Sequence, residues 1–249
     1  MFNILRIVCL FAWAGHGAYA SEEAFHHANE LFAQEKFEEA ISVYESALLN
    51  GASANLYFNL GNAYLKSKNY GAAILNFRRA LLLSPQDTDI NANLRLAQRQ
   101  AELAVDDPTP LTIYSRFLTT NQWILIATIA GWITLALIIL KFRRTQTPRF
   151  VILSTILSAV VLLSSLAGLV GYHQTRNQAV IAGQMDATLK VAPTPQSPAT
   201  LSLLRGTTVV ILKEVNGFDL IKTSTGQTGY IEPALLQRVL PESNLFGSR

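Results

Sequence analysis

The stretch ANLYFNLGNAYLKSKNYGAAILNFRRALLLSP, residues 54–85, decides the fold of the amino-terminal part of this chain. Gly61 and Ala73 are small, as residues must be where the two helices of a hairpin approach closely. Pro85 ends the second helix, because proline cannot continue it. Larger side chains at helical spacing fill the space between neighbouring helices: Tyr57, Leu60, Tyr64 and Phe77. The stretch therefore predicts a helix–turn–helix.

The pattern occurs a second time, 33 residues earlier, since FEEAISVYESALL (37–49) copies YGAAILNFRRALLL (70–83). Two such copies in register resemble the tetratricopeptide repeat (TPR) family, whose unit is a helical hairpin of about 34 residues. The resemblance implies all-α repeats at residues 21–53 and 54–87 that bind other proteins. A plain amphipathic bundle is the alternative, but it does not require small residues at repeat positions.

One more helix is predicted after the second repeat, at residues 88–104. Asp87 or Thr88 caps its first turn. Its apolar residues lie on one side and its polar residues elsewhere, as the last helix of a repeat array requires. We therefore expect a capping helix that closes the array.

The amino terminus has the pattern of a secretory signal peptide at residues 1–20. A short apolar core, Ile4 to Ala14, is followed by the small-residue site Ala18-Tyr19-Ala20. Cys9 is the only cysteine and lies within this segment. After cleavage the chain would therefore have no disulfide, no thiolate metal site and no thiol nucleophile.

Two further apolar runs, residues 122–140 and 150–172, contain no charged residue. About 20 apolar residues cross a bilayer as a helix. Trp123 and Tyr172 lie at the outer ends of the runs, where aromatic rings favour the membrane interface. The alternative, two buried core helices, would need a large soluble domain that the remaining chain cannot supply. We expect two transmembrane helices.

The loop between these runs, residues 141–149, sets the predicted topology, because short basic loops stay in the cytoplasm. Both flanks then lie on the exported side of a bacterial inner (cytoplasmic) membrane, which is the periplasmic side in a cell with two membranes, and the signal peptide predicts the same. Residues 105–121 are either an interfacial segment or a solvated linker. The loop contains four basic and no acidic residues: Lys141, Arg143, Arg144 and Arg149.

From residue 178 on, short β-branched segments separated by turn residues predict a small all-β barrel. Gly206-Thr207, Gly217-Phe218 and the run 226–231 (GQTGYI) occur in the order of a bacterial SH3 (SH3b) domain, which residues 178–240 resemble. The resemblance implies binding of cell-wall peptides or of partner peptides, with Phe218 and Tyr230 as ligand candidates. The sequence departs from the family pattern, since these two stand where tryptophan is common and the 191–201 loop is proline-rich. The alternative is a domain that only packs against its own TPR.

Catalytic and metal-binding motifs are absent from the sequence. His26 and His27 are adjacent, so on a helix their side chains point about 100° apart. Residues 21–120 contain 8 Lys and Arg against 12 Asp and Glu, which gives no ground for nucleic-acid binding. We therefore predict no enzyme activity, no metal, no cofactor and no nucleic-acid partner.

The first helix of each TPR hairpin lines the concave face, and its residues are the candidates for partner binding. Asn29 and Asn62 stand one repeat apart, and an amide can both donate to and accept from an extended peptide. Lys66 can meet a carboxylate. The alternative is that the asparagines are solvated or cap local backbone. The full predicted set is Phe25, Asn29, Phe32, Asn55, Phe58, Asn62, Leu65 and Lys66.

The whole order of segments predicts a multidomain membrane protein with TPR hairpins, two transmembrane helices and an SH3-like barrel. It resembles the BatE family of the aerotolerance (Bat) operon. The resemblance implies a non-enzymatic scaffold whose partners are von Willebrand factor A (vWA) domain membrane proteins. A MoxR-type AAA+ ATPase of the same system would be cytoplasmic, so contact with it would be indirect. The rival interpretation is a peptidoglycan sensor or anchor that acts through the SH3b-like domain.

Overall fold

The computed structural model describes residues 22–105, 109–115, 117–118, 120–143, 148–182 and 186–240. It divides into two compact units. The first contains the described residues up to Val105 together with those from Gln178 on, and the second contains those between Asp106 and Asn177. The predicted signal peptide and Arg144 of the basic loop lie outside the described residues.

Five helices form the amino-terminal part of the first unit, and helical hairpins are present where the sequence predicts them. Local side chains cap the amino termini of the third, fourth and fifth helices. Ser53 Oγ accepts a hydrogen bond from the Leu56 amide at 3.1 Å, and Asp87 Oδ1 accepts one from the Ile90 amide at 3.1 Å. The helices are α1 (22–33), α2 (Phe37–Leu48), α3 (Ala54–Lys66), α4 (Tyr70–Leu83) and α5 (Thr88–Gln100).

Three of these helices, α1, α3 and α5, end in the same way. Each is followed by a residue with positive φ, namely Glu35, Lys68 and Glu102. The next amide in each case donates to the carbonyl five residues back, as Lys36 does to Leu31 at 3.0 Å, which is the Schellman motif. These ends recur every 33 or 34 residues, so α5 ends in the same way as the first helices of the two hairpins.

The hairpin of α3 and α4 packs as the small residues predict. Phe77 is fully buried, and a Cβ placed on Gly61 would lie 2.7 Å from its ring. Ala73 and Ala80 on α4 are also fully buried. The equivalent contacts in the first hairpin involve Ala28, Ala40, Tyr44 and Ala47, which form a second buried cluster.

The carboxy-terminal part of the first unit is a seven-stranded antiparallel sheet in the order β3-β2-β6-β5-β4-β1-β7. Asn216 and Gly217 both have positive φ at the predicted β4–β5 turn. β3 and β7 are strands that the sequence did not predict. The strands are β1 (Gln178–Ile181), β2 (Ala187–Lys190), β3 (Ala199–Leu203), β4 (Thr208–Val215), β5 (Phe218–Thr223), β6 (Thr228–Ile231) and β7 (Leu236–Arg238).

The second unit contains a short helix, α6 (Pro110–Ser115), and two long ones, α7 (Thr120–Arg143) and α8 (Arg149–Arg176). Thr134 Oγ1 donates to Ser158 Oγ at 3.0 Å, between α7 and α8. Both long helices are long and apolar enough to cross a membrane, with a mean hydropathy of 2.4. Lys141 and Arg143 lie in the last turn of α7, and Arg149 begins α8.

Candidate functional site

The predicted partner-binding residues all lie on α1 and α3, the first helices of the two hairpins. The apolar members are half-buried and also serve packing. The Phe32 ring lies 5.3 Å from that of Phe37, and the Phe58 ring lies 6.0 Å from that of Phe77, between centroids. Phe25 and Leu65 likewise pack against the buried clusters. Asn55 and Lys66 are exposed, whereas Asn29 and Asn62 are half-buried, so a partner can reach Asn55 and Lys66 first.

The two asparagines join neighbouring repeats through their side chains. Asn29 Oδ1 accepts hydrogen bonds from the Tyr44 hydroxyl at 2.5 Å and from Asn59 Nδ2 at 2.9 Å. Asn62 Oδ1 accepts one from Asn93 Nδ2 at 3.2 Å. They are therefore neither fully solvated nor caps of local backbone. We call Asn29, Asn59, Asn62 and Asn93 the asparagine ladder.

The ladder determines which chemistry remains for a ligand. The side-chain oxygens of Asn29 and Asn62 already accept hydrogen bonds, whereas their Nδ2 atoms donate none within the described part of the chain. These two amides therefore offer donors. Donors match the carbonyl oxygens of an extended peptide or a carboxylate. Lys66 adds a positive charge and three more donors on the same helix.

Two tyrosines beside the hairpins stay neutral well above physiological pH. Burial raises the pKa of Tyr44 to about 12, and the hydrogen bond with Asn59 lowers it in part. Burial also raises the pKa of Tyr64. The Glu45 carboxylate raises that pKa further, because it accepts a hydrogen bond from the Tyr64 hydroxyl at 2.5 Å. Neither phenol therefore contributes charge to the site at neutral pH.

The sheet packs against α4 within the first unit. Gly71 permits the contact, because a Cβ there would lie 3.2 Å from the Ile181 carbonyl oxygen. Val180 of β1 and Val239, which follows β7, belong to the same buried cluster as Ile74 and Phe77 of α4. The array and the sheet therefore share one apolar core, a contact that the sequence left open.

Two arginines of α4 bridge the same junction. Arg78 Nη1 donates to Gln178 Oε1, and Arg79 Nη2 donates to the Arg238 carbonyl oxygen, each at 3.2 Å. Burial lowers the pKa of Arg79. A polar cleft of about 330 Å³ lies beside the junction; it is lined by Arg79, Glu214, Asp219, Pro233, Leu236, Gln237 and Arg238.

The predicted SH3b ligand residues have different surroundings. Phe218 is only 8% exposed, and Lys190 Nζ lies 5.4 Å from its ring centroid. Lys190 also donates to Glu232 Oε1 at 2.9 Å. Tyr230 is half-buried on β6, opposite Lys190 in the sheet register. Phe218 thus presents little ring surface to a ligand.

In the parts of the chain that the structure describes, no three His, Cys, Asp or Glu side chains lie close enough together to hold a metal ion. His26 and His27 are exposed on α1.

Comparison with protein families supports the reading of the hairpins. Residues 25–88 match the tetratricopeptide repeat family, and this range covers most of both predicted repeats. The comparison with curated proteins gave no match. Because TPR hairpins form a non-catalytic fold that binds other proteins, this part of the chain is a TPR region of the protein-interaction type.

Proposed function

We propose that this protein is a non-enzymatic, membrane-anchored scaffold whose TPR region binds an extended segment of a partner protein. The asparagine ladder is the observation that carries the proposal. It fixes Asn29 and Asn62 through their oxygens and leaves their Nδ2 donors for a ligand, one repeat apart. Fixed side chains lose little conformational entropy on binding, which favours recognition of a peptide backbone.

Membrane anchoring by α7 and α8 is supported by the apolar side chains that both helices leave exposed. Only 11% of each apolar window is buried, whereas a core helix of a soluble protein would be mostly buried. Trp132, Leu153 and Leu163 are each about two-thirds exposed. Covering such residues with lipid removes their apolar surface from water, which stabilises the membrane-inserted state by about 25 cal/mol per Å² of buried surface.

The exported orientation rests on the basic residues that connect the two helices and on the signal peptide pattern. In this orientation the TPR region and the sheet both lie outside the cytoplasm. Partners anchored in the same membrane, with domains on its exported side, would then meet the TPR region directly. A cytoplasmic ATPase would not.

The partner class follows from the resemblance to the BatE family. We propose vWA-domain membrane proteins as direct partners and a MoxR-type AAA+ ATPase as an indirect one. An SH3-like identity for the sheet is supported by its strand order and by the short 3-10 helix Pro233–Leu235 between β6 and β7. We propose that the sheet braces α4, because the two share a core. The burial of Phe218 weighs against peptidoglycan binding through that residue.

A photo-crosslinking experiment tests the site in cells. A photoreactive residue replaces Asn55, which is exposed on α3, or in the control Asn50, which is exposed between α2 and α3. We expect an adduct with a membrane protein from position 55 and not from position 50. Asn62→Asp in the same chain keeps an oxygen for Asn93 but removes the Nδ2 donors, so it should abolish the adduct. An equal adduct from both positions, or one that survives Asn62→Asp, would refute the site.

A further inference from the structure

The short helix α6 packs tightly against α8 within the second unit. The Tyr114 hydroxyl and the Ser164 hydroxyl lie 2.7 Å apart and share a hydrogen bond. Trp123 Nε1 donates to the Ser115 carbonyl oxygen at 3.1 Å, and the Tyr114 and Trp123 ring centroids lie 5.0 Å apart. Residues 110–115 therefore form neither a solvated linker nor a detached surface helix.

Two glycines of α8 make room for this packing. A Cβ on Gly168 would lie 2.6 Å from the Trp123 ring, and one on Gly171 would lie 2.5 Å from the Leu111 carbonyl oxygen. A Cβ placed on Gly131 of α7, in contrast, would have no atom within 4 Å. Glycine is thus required at positions 168 and 171 by the approach of α6 and Trp123, and position 131 provides a matched control.

Two hydroxyls and one carbonyl of α6 form hydrogen bonds with protein atoms. The Thr112 and Ser115 hydroxyls donate to the carbonyls of Thr109 and Thr112, each at 2.8 Å. The Ser115 carbonyl oxygen accepts a hydrogen bond from Trp123 Nε1. Backbone that is not in a long helix is tolerated at membrane depth only where protein satisfies it in this way.

The position of the contact along α8 gives its depth. Ser164 lies eight residues from Tyr172, which the sequence places at the outer interface. At a rise of 1.5 Å per residue this is about 12 Å, most of the roughly 15 Å half-thickness of the hydrocarbon core. Ile113 on α6 is 47% exposed, and Phe117, which follows α6, is 66% exposed.

We infer that residues 110–115 and Phe117 are embedded in the outer leaflet of the membrane, with Ile113 and Phe117 in contact with lipid acyl chains. The anchor would then consist of two spanning helices and a third, half-depth segment packed on α8. The inference rests on the proposed membrane anchorage. Water is the alternative environment for Ile113, and the experiment must separate the two.

Cysteine labelling of the full-length protein in right-side-out membranes makes this separation. In a Cys9→Ala background, a membrane-impermeant maleimide is applied to Ile113→Cys, to Ile133→Cys on α7 and to exposed Asn50→Cys. Since a thiol in hydrocarbon does not ionise, we expect Ile113→Cys to react about tenfold or more slowly than Asn50→Cys, close to Ile133→Cys. Reaction of Ile113→Cys as fast as Asn50→Cys, with Ile133→Cys protected, would overturn the inference alone. Fast reaction of Ile133→Cys as well would overturn the anchorage itself.

A second variant tests the cause of the protection. Gly171→Leu drives a side chain into the Leu111 carbonyl, so it should expel α6 and raise the labelling rate of Ile113→Cys. Gly131→Leu should leave that rate unchanged. Lipid contact is read directly from a bimane label on Ile113→Cys, which nitroxide lipids should quench in vesicles. An absence of quenching would mean that protein, and not lipid, covers position 113 and would refute the inference.

Discussion

Gly61 and Phe77 provide the sharpest test of how the TPR hairpin is packed. A methyl group on Gly61 would lie 2.7 and 2.8 Å from two ring carbons of Phe77, well inside the 3.4 Å at which ordinary contact begins. Such overpacking costs about 1–3 kcal/mol. Replacing glycine by alanine inside a helix returns about 1 kcal/mol in propensity. We therefore expect Gly61→Ala to destabilise the hairpin by about 1 kcal/mol net.

The clash should disappear when the ring is removed. In a Phe77→Leu background, Gly61→Ala should be neutral or stabilising by up to about 1 kcal/mol, which gives a coupling free energy of about 1–2 kcal/mol between the two positions. Hydrogen exchange of α3 and α4 amides in the full-length protein measures this locally, since 1.4 kcal/mol changes an exchange rate about tenfold. If Gly61→Ala changes the free energy of local unfolding equally in the natural chain and in the Phe77→Leu background, the packing argument is refuted.

Two further predictions concern pH and the junction with the sheet. The pKa of Tyr44 is raised from 10.0 to about 12, so the stability contributed by its neutral form is complete below pH 10 and is lost as pH rises towards 12. Alkaline unfolding, followed by circular dichroism, should therefore depend less on pH for Tyr44→Phe than for the natural chain. An unchanged pH profile would contradict this. Gly71→Leu should separate the sheet from α4, whereas the Cβ of Gly71→Ala would lie 3.2 Å from the Ile181 carbonyl oxygen and should disturb the contact far less. We expect faster hydrogen exchange of the β1 amides in Gly71→Leu only. Equal β1 exchange in the two variants would contradict this.

The fold of the TPR region could be predicted because its determinants are local and repeated. Small residues, caps and helix ends recur at one spacing, so each copy supports the other. The β4–β5 hairpin could be predicted for a similar reason, because Asn216-Gly217 suits a turn with positive φ at both positions. In contrast, β3 was missed because it follows a proline-rich stretch, which indicates a loop, and β7 was missed because it has only three residues.

The sequence placed the candidate site residues on the first helices of the hairpins, but it did not predict their hydrogen-bond partners. Asn29 and Asn62 stand where repeat matching put them, but Asn59 and Asn93, which donate to them, lie 30 and 31 residues further along the chain. That register depends on how neighbouring first helices pack. The packing of α6 was missed for the same reason, since Tyr114 and Ser164 are 50 residues apart.

Affinity capture of the full-length protein from gently solubilised membranes, with quantitative mass spectrometry, tests the proposed scaffold function. Three chains are compared: the natural one, a double variant with Asn62→Asp and Lys66→Ala, and the matched control with Asn50→Asp and Lys36→Ala. We expect vWA-domain membrane proteins to accompany the natural chain and the control and to be lost from the Asn62/Lys66 variant. Recovery of the same partners in equal amounts with all three chains would contradict it.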